Sequence, residues 1–378
     1  MAEFECKVYR LRIEKHPNAD ALELAVVGDY RSIVRKGEFK TGDLGVYIPE
    51  AAIVPEWLIE ELGLTGRLAG KQKNRVKAVK LRGILSQGLI YPANKVANAY
   101  VVQLEPSYDG DVKLYDPIVL AEDNINNLAE LLGITKYEPV IPTSMNGEVF
   151  NAFGMTLKFD IENIKKFPNI FKDDELVFLT EKLHGTWCCF GHHPENDFPI
   201  VTSKGLSDKG LAFKFNEANE SNLYVKMFKS VVASYSSDDL ITRAKKFFPD
   251  TPFYILGEIF GAGVQDLTYG GMEKSFRVFD IYVGEPGKGN YVSPGAVMYV
   301  CKELELDVVP TLYAGPFSKE ILAEFTDGKE TASGQEAHIR EGVVVRPVEE
   351  RRDDEIGRVI LKSVSEKYLL RKNATEYA

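Results

Sequence analysis

Residues 175–191, ELVFLTEKLHGTWCCFG, set a lysine between two apolar runs. Both runs are short and rich in aromatic and β-branched side chains. That predicts two strands meeting at Glu181-Lys182-Leu183-His184-Gly185-Thr186. A lysine with a glycine three residues on recurs by chance in a long chain, so this block gains weight only from its downstream companions. In order come Ser203-Lys204-Gly205, the run LGEIFGAGVQ from Leu256 to Gln265, Phe279-Asp280-Ile281, Glu341-Gly342-Val343-Val344-Val345-Arg346, and Leu361-Lys362-Ser363-Val364. Each later block alone reads as a strand or a Gly turn. The ordered set does not.

Around these blocks, strand-like runs (DFPIVTSKG, TPFYILGEIFG, SFRVFDIYVG, EGVVVRP, GRVILKSV) mix with helical stretches near SNLYVKMFKSVVASYS, DLITRAKKFFP and SPGAVMYVCKELEL. There is no steady βαβ alternation, so residues 148–378 read as an α+β domain of antiparallel sheets flanked by helices. Residues 106–147 read as an acidic linker. DNINNLAELLGI predicts a short helix there, opened by an Asp or Asn cap, before the proline-bearing KYEPVIPTS. Residues 1–105 differ again: KVYRLRIEK, ALELAVVGDY, SIVRKGEF, GDLGVYIPE, VKAVKLRG and LIYP are divided by Gly, Pro, Asn and Asp. With the helical PEWLIEELGL inserted between the fourth and fifth runs, this predicts an oligonucleotide-binding (OB) β-barrel.

A chain of 378 residues is too long for one ordinary core, and 44% hydrophobic with 27% charged residues excludes a wholly disordered one. No apolar run approaches the roughly 20 residues that cross a bilayer. The start MAEFECKVYR also lacks a signal-peptide core, so a cytoplasmic protein without a membrane partner is expected. Four cysteines are too few and scattered for a disulfide framework. Cys188, Cys189, His192 and His193 look superficially like a zinc set, but adjacent strand residues point to opposite faces and do not converge on one ion. The net charge of −10 argues against a nucleic-acid partner until it is mapped. Residues 1–100 carry 16 bases and 12 acids, whereas 101–378 carry 30 and 44. The barrel is the basic part.

The six blocks in this order resemble the covalent nucleotidyltransferase superfamily of ATP-dependent ligases and capping enzymes. His184, two residues after the lysine, and Gln265, seven after Glu258, are similar to its RNA ligase branch. Upstream, His16-Pro17-Asn18-Ala19-Asp20-Ala21-Leu22 resembles the opening of tRNA-binding OB domains. Arg35-Lys36-Gly37-Glu38-Phe39, Gly42-Asp43, Val79-Lys80-Leu81-Arg82-Gly83 and Leu85-Ser86-Gln87-Gly88-Leu89 look like the N-terminal OB domain of Deinococcus/Naegleria-type RNA ligases. Leu131-Leu132-Gly133-Ile134-Thr135-Lys136-Tyr137-Glu138-Pro139 looks like that family's linker, so the resemblance spans nearly the whole chain.

The resemblance implies an ATP-dependent RNA ligase that joins a 3′-hydroxyl to a 5′-phosphate, at nicks in a duplex or in structured RNA, with Mg²⁺ or Mn²⁺. Lys182 would be the nucleophile, forming lysyl-AMP before AMP passes to the RNA 5′-end. A lysine at its ordinary pKa of about 10.4 is protonated and inert, so the cation, Lys204 and Lys362 are expected to favour the free amine. Glu341 is the expected metal ligand, and Glu258 is expected on the ribose or a hydrated metal, both offering the hard oxygens Mg²⁺ prefers. Phe279 is expected to stack on adenine with Val344 as a second wall, and the Glu181 backbone to meet the adenine edge. Gly185 belongs to the same nucleotide-binding set. Lys362 is expected on the α-phosphate, Lys204 on the ribose or substrate phosphate, His184 on the phosphates and RNA end, and Gln265 and Arg346 on the RNA side.

Two departures stand out. Relatives carry a second lysine beside the equivalent of Lys362, but here the flanks are Ile360 and Val364, with Lys367 as a stand-in. Trp187 replaces a small polar residue and is expected to alter the RNA-facing side of the pocket. In the barrel, Arg67 to Arg82 holds seven bases and no acid. Lys71, Lys73, Arg75 and Lys77 are the expected RNA contacts there, and Arg82 is more structural. No protein partner is implied. The alternatives are a GTP-dependent capping guanylyltransferase, which His184 and the domain order disfavour, and a non-catalytic tRNA/RNA-binding protein. Joint retention of Lys182, Glu258, Glu341 and Lys362 disfavours the second.

Overall fold

The computed structural model describes residues 4–96, 127–196, 198–233, 240–372 and 374. The chain forms two compact units, one of residues 2–138 with 165–168, the other of 139–164 with 169–378. In the first, the opening strand breaks at buried Leu11 and serves two sheets. Lys7–Arg10 pairs antiparallel with Leu44–Ile48, which pairs with Leu89–Pro92, while Arg12–Lys15 joins the meander Leu22–Val27 and Tyr30–Arg35. Ser32 Oγ donates to the Gln87 carbonyl at 2.7 Å and ties the meander to the last strand. One strand shared between sheets, with cross-ties of this kind, closes the barrel and hides strand edges.

The predicted helix appears as Glu56–Glu61, begun after Pro55, with Leu58 and Ile59 buried. The basic segment ends in a hairpin, Val79–Leu81 with Ile84–Ser86, turned by Arg82 at φ 48° and Gly83 at φ 87°. Both angles suit a tight two-residue turn, which leaves Arg82 a backbone role: its carbonyl accepts from Asn18 Nδ2 at 2.9 Å. Of the helix expected over 123–134, residues 123–126 lie outside the described residues, as does half of the 106–147 linker, and Leu128 to Gly133 form turns.

The second unit is built on two five-stranded sheets. One runs Glu162–Asn163, Leu361–Val364, Gly342–Pro347, Leu176–Lys182, Thr311–Pro316; the other Ile200–Ser203, Thr186–His192, Phe253–Phe260, Ser275–Val283, Asn290–Tyr291. Every pairing is antiparallel except that of Glu162–Asn163 with Leu361–Lys362. The strand that ends at Lys182 belongs to the first sheet and the strand that begins at Thr186 to the second. Leu183-His184-Gly185 is therefore the crossing between sheets.

On one face of the second sheet, Cys188, Phe190, Phe253, Ile255 and Ile281 pack against the helices Leu223–Ala233 and Pro294–Glu303. Each such side chain, fully buried, contributes about 1.5–3 kcal/mol. The other face carries Trp187, Cys189, Tyr254 and Leu256, with Leu157, Phe159, Phe279 and Tyr291 against it. Cys188 and Cys189 thus enter different cores, and all four cysteines are unpaired and buried. Two details depart from the sequence reading. Lys204 begins a short helix, Lys204–Asp208, rather than prolonging a strand. A helix at Lys319–Thr326, capped by Ser318 Oγ accepting from the Ile321 amide at 3.2 Å, was not anticipated. Among the described residues, no helix is long and apolar enough to cross a membrane.

Candidate active site

Strand register gathers most of the expected residues at the crossing. Lys182 opposes Gly342, Val344 opposes both Thr180 and Lys362, and Trp187 opposes Glu258. Glu341 is then next to Lys182, and its Oε1 lies 2.5 Å from Lys182 Nζ. Two glycines make this closeness possible. A Cβ at Gly185 would run into the Ile259 carbonyl, and one at Gly342 into the Ser363 carbonyl, where φ is also 156°. The Gly185 amide is free to donate to the Glu258 carboxylate.

The electrostatics reverse one expectation. Burial pulls the Lys182 pKa down, but attraction to Glu341 and Glu258 outweighs it and leaves the ammonium above the ordinary lysine value. Carboxylates, not cations, dominate around the amine. Glu258 shows the other side of the balance: burial pushes its carboxyl up to about 8, with Lys182 opposing and Glu341 adding to the rise. Lys362 is lowered, first by burial and then by Lys182 and Lys204, with Asp160 opposing.

His184 is buried with both ring nitrogens engaged. Nε2 lies 2.9 Å from Asp266 Oδ1, and Nδ1 lies 2.8 Å from the Tyr368 hydroxyl. Its amide donates to Tyr269 Oη at 2.7 Å, and Gln265 Nε2 donates to the Gly185 carbonyl. Gln265 therefore grips the backbone of the crossing, instead of lying open to RNA. Burial lowers the His184 pKa below the ordinary value. Glu181 directs its carboxylate away from the strand to Thr331, whose amide and hydroxyl donate at 2.8 and 2.6 Å, while the Glu181 amide bonds the Pro310 carbonyl.

Phe279 is half-buried, its ring 5.2 Å from that of Phe159, which also stacks on Trp187 at 6.4 Å. Trp187 lies inside this aromatic cluster and is 9% exposed, so it does not face open solvent. Lys204 Nζ pairs with Asp160 Oδ2 at 2.9 Å. Phe159, Asp160, Asp266, Tyr368 and Arg371 were all missed by sequence reasoning. Asp266 had one signal, its place directly after Gln265. The others lie outside every block.

Three cationic expectations are corrected by burial or pairing. Arg346 is 6% exposed and its Nη1 lies 3.3 Å from Asp280 Oδ1. It shares that carboxylate with Arg358, 2.5 Å away. A charge so enclosed neutralises Asp280 and is not offered to RNA. Arg75 is 8% exposed, its guanidinium 3.5 Å from the centre of the Tyr137 ring, so it braces the barrel. Lys367 reaches Asp327 at 3.4 Å on an exposed surface and does not replace a phosphate-facing lysine. Lys71 and Lys73 are exposed, and Lys77 is half-buried.

Among the described residues no three His, Cys, Asp or Glu side chains converge as a metal cage. Glu341 and Glu258 remain as two carboxylates on one lysine.

No curated protein sequence matches the chain. Among solved structures, the Naegleria gruberi RNA ligase with PPi is 22% identical over 97% of this chain and 98% of that one, with a TM-score of 0.74. A variant of that enzyme with ATP and Mn gives 0.73 at the same identity and coverage, and another with AMP and Mn gives 0.74. A family model for an OB-fold domain matches residues 7–93. The family model for RNA ligase matches residues 175–364, which takes in all six blocks and about half the chain, and the chain accordingly belongs to the RNA ligase family.

Proposed function

We propose that this chain is an ATP-dependent RNA ligase that seals 3′-hydroxyl and 5′-phosphate ends, at nicks, in the cytoplasm, where its buried thiols stay reduced. The observation that carries the reading is the ion pair of Lys182 with Glu341 at the crossing between sheets, with Glu258 and Lys362 beside it. Lys182 Nζ would attack the α-phosphorus of ATP, forming the P–N bond as the bond to pyrophosphate breaks. The adenylyl group would pass to an oxygen of the RNA 5′-phosphate, returning the lysine. The 3′-hydroxyl would then attack that phosphorus and AMP would leave.

Glu341 and Glu258 are the residues suited to Mg²⁺ or Mn²⁺. A carboxyl pushed up to about 8 by burial is one short of positive charge, and two carboxylates suit an ion that completes its shell with water and phosphate oxygens. When bound, such an ion supplies charge stabilisation on the phosphates. Were Glu341 to hold such an ion, its pull on the Lys182 ammonium would weaken and burial would favour the free amine more strongly. Lys362 and Lys204 neutralise developing phosphate charge, and positioning supplies the rest of the acceleration. Phe279 serves the base and Val344 walls it. Exposed Lys71 and Lys73 on the barrel track the RNA backbone.

The test is incubation with Mg²⁺ and ATP or GTP carrying α-phosphate label. Acid-stable labelling by ATP that disappears in Lys182→Ala is the expected result. Labelling by GTP alone turns the reading to a capping guanylyltransferase, and labelling by neither turns it to an RNA-binding protein.

A further inference from the structure

The segment after the last sequence block folds back onto the crossing. Ser365 donates its amide to the Glu341 carbonyl at 2.9 Å, and the short helix Glu366–Leu369 comes next. Tyr368 then meets His184 Nδ1 at 2.8 Å. Arg371 holds Asp266 through two bonds, Nε to Oδ2 at 2.8 Å and Nη2 to Oδ1 at 3.1 Å. The same guanidinium lies 3.8 Å from the centre of the Tyr368 ring and donates to its carbonyl at 3.0 Å. Asp266, facing Arg371 with both oxygens, also takes His184 Nε2 at 2.9 Å.

We propose that Tyr368 and Arg371 are positioning residues for adenylyl transfer, acting through the His184 imidazole. A carboxylate facing a guanidinium only accepts, so His184 Nε2 carries the hydrogen. The neutral ring then has an acceptor at Nδ1, which the Tyr368 hydroxyl fills. Both nitrogens are engaged in the clamp, and the ring is a strut between the nucleophile's loop and the end of the catalytic unit. His184 is thereby assigned to holding Lys182 in line, two residues away, in place of direct phosphate contact. A misplacement of about 1 Å at such a site costs up to 100-fold in rate.

The proposal rests on the ligase reading for its kinetic arm, and a spectroscopic arm stands apart from it. In single-turnover labelling with ATP and Mg²⁺, Tyr368→Phe is expected to slow Lys182 adenylation about tenfold, with ATP KM within about twofold and an unchanged unfolding midpoint. Arg371→Lys, which keeps the charge but not the paired bonds or the ring contact, is expected to recover only part of the rate lost in Arg371→Gln. In a His184→Asn background, Tyr368→Phe is expected to cost nothing further, because its route is the ring. Multiplicative losses in the double variant overturn the proposal. The chain has five histidines, so ¹⁵N-histidine spectra resolve them. His184 is expected as the Nε2–H form, its Nδ1 resonance shifting in Tyr368→Phe. An Nδ1–H ring, or one averaging both forms, overturns the clamp even if ATP labels nothing, an outcome that would sink the ligase reading separately.

Discussion

At Lys182 the attraction of two carboxylates outweighs burial and holds the amine above the ordinary lysine value. Glu341→Gln therefore has opposite effects on two reactions. Labelling of Lys182 by an amine-directed acylating reagent at pH 8 is expected to rise, since the nearest negative charge is gone. Adenylation by ATP and Mg²⁺ is expected to fall by roughly 100-fold or more, since the proposed metal-binding oxygen is gone as well. Peptide mapping of the acylated lysine checks the first, and α-phosphate labelling the second. A parallel fall in both would show that Glu341 does not hold the proton. The ordered blocks and the resemblance they carry singled out Lys182, Glu258, Glu341 and Lys362, and the strand register brings these residues to one crossing. Residue type did not reveal the surroundings of Arg75 or Arg346. A guanidinium reads as exposed charge in sequence, and only the fold shows the Tyr137 ring or the Asp280 carboxylate that encloses it.

Strands were the most legible elements, because sheets with one or both faces buried leave dense apolar runs. Short helices such as Lys319–Thr326 were not, since eight residues give barely two turns of pattern. The loop from Asp327 to Glu341 was illegible for another reason: it is held by side-chain hydrogen bonds that leave no periodic pattern, as where Thr331 grips Glu181 through its amide and hydroxyl. One cross-element tie carries its own prediction. Arg351 bonds Glu175 through Nε at 2.6 Å and Nη2 at 3.0 Å, joining the start of the strand Leu176–Lys182 to the loop after Gly342–Pro347. Burial pushes the Glu175 carboxyl up, but Arg351 more than offsets it, and the folded value lies below the ordinary 4.5. A depressed folded value means stability that is present above the unfolded pKa and lost as pH falls through the folded one. Glu175→Gln is therefore expected to lower the melting midpoint by about 2–6 °C near pH 7. Scanning calorimetry should show the two proteins converging as pH falls from the ordinary glutamate range through that lowered folded value.

For the molecule as a whole, the balance of −10 conceals a basic barrel and an acidic catalytic unit. Lys71 and Lys73 are exposed bases of Arg67–Arg82 ahead of the hairpin. Replacing both by Ala is expected to weaken nicked-duplex binding and to flatten its log–log salt dependence by about 1.5 to 2. Lys182 adenylation should stay within about twofold. Filter binding across salt concentrations reads the first, and a loss of adenylation would place these lysines in the wrong step. Two-domain organisation was legible because composition shifts along the chain. The bond between Tyr368 and His184 was not, since 184 residues separate them. That separation also has a meaning in time. Synthesis at about 5–20 residues per second leaves Lys182 without its far partners for roughly 10–40 s. Contacts this distant in sequence form late in folding. A nascent or prematurely stopped chain lacking Glu341, Lys362 and Tyr368 thus holds an inert lysine. On the proposed mechanism, competence to consume ATP is expected only once these late residues have joined the fold, so unfinished enzyme would neither drain nucleotide nor leave RNA ends adenylated and unsealed.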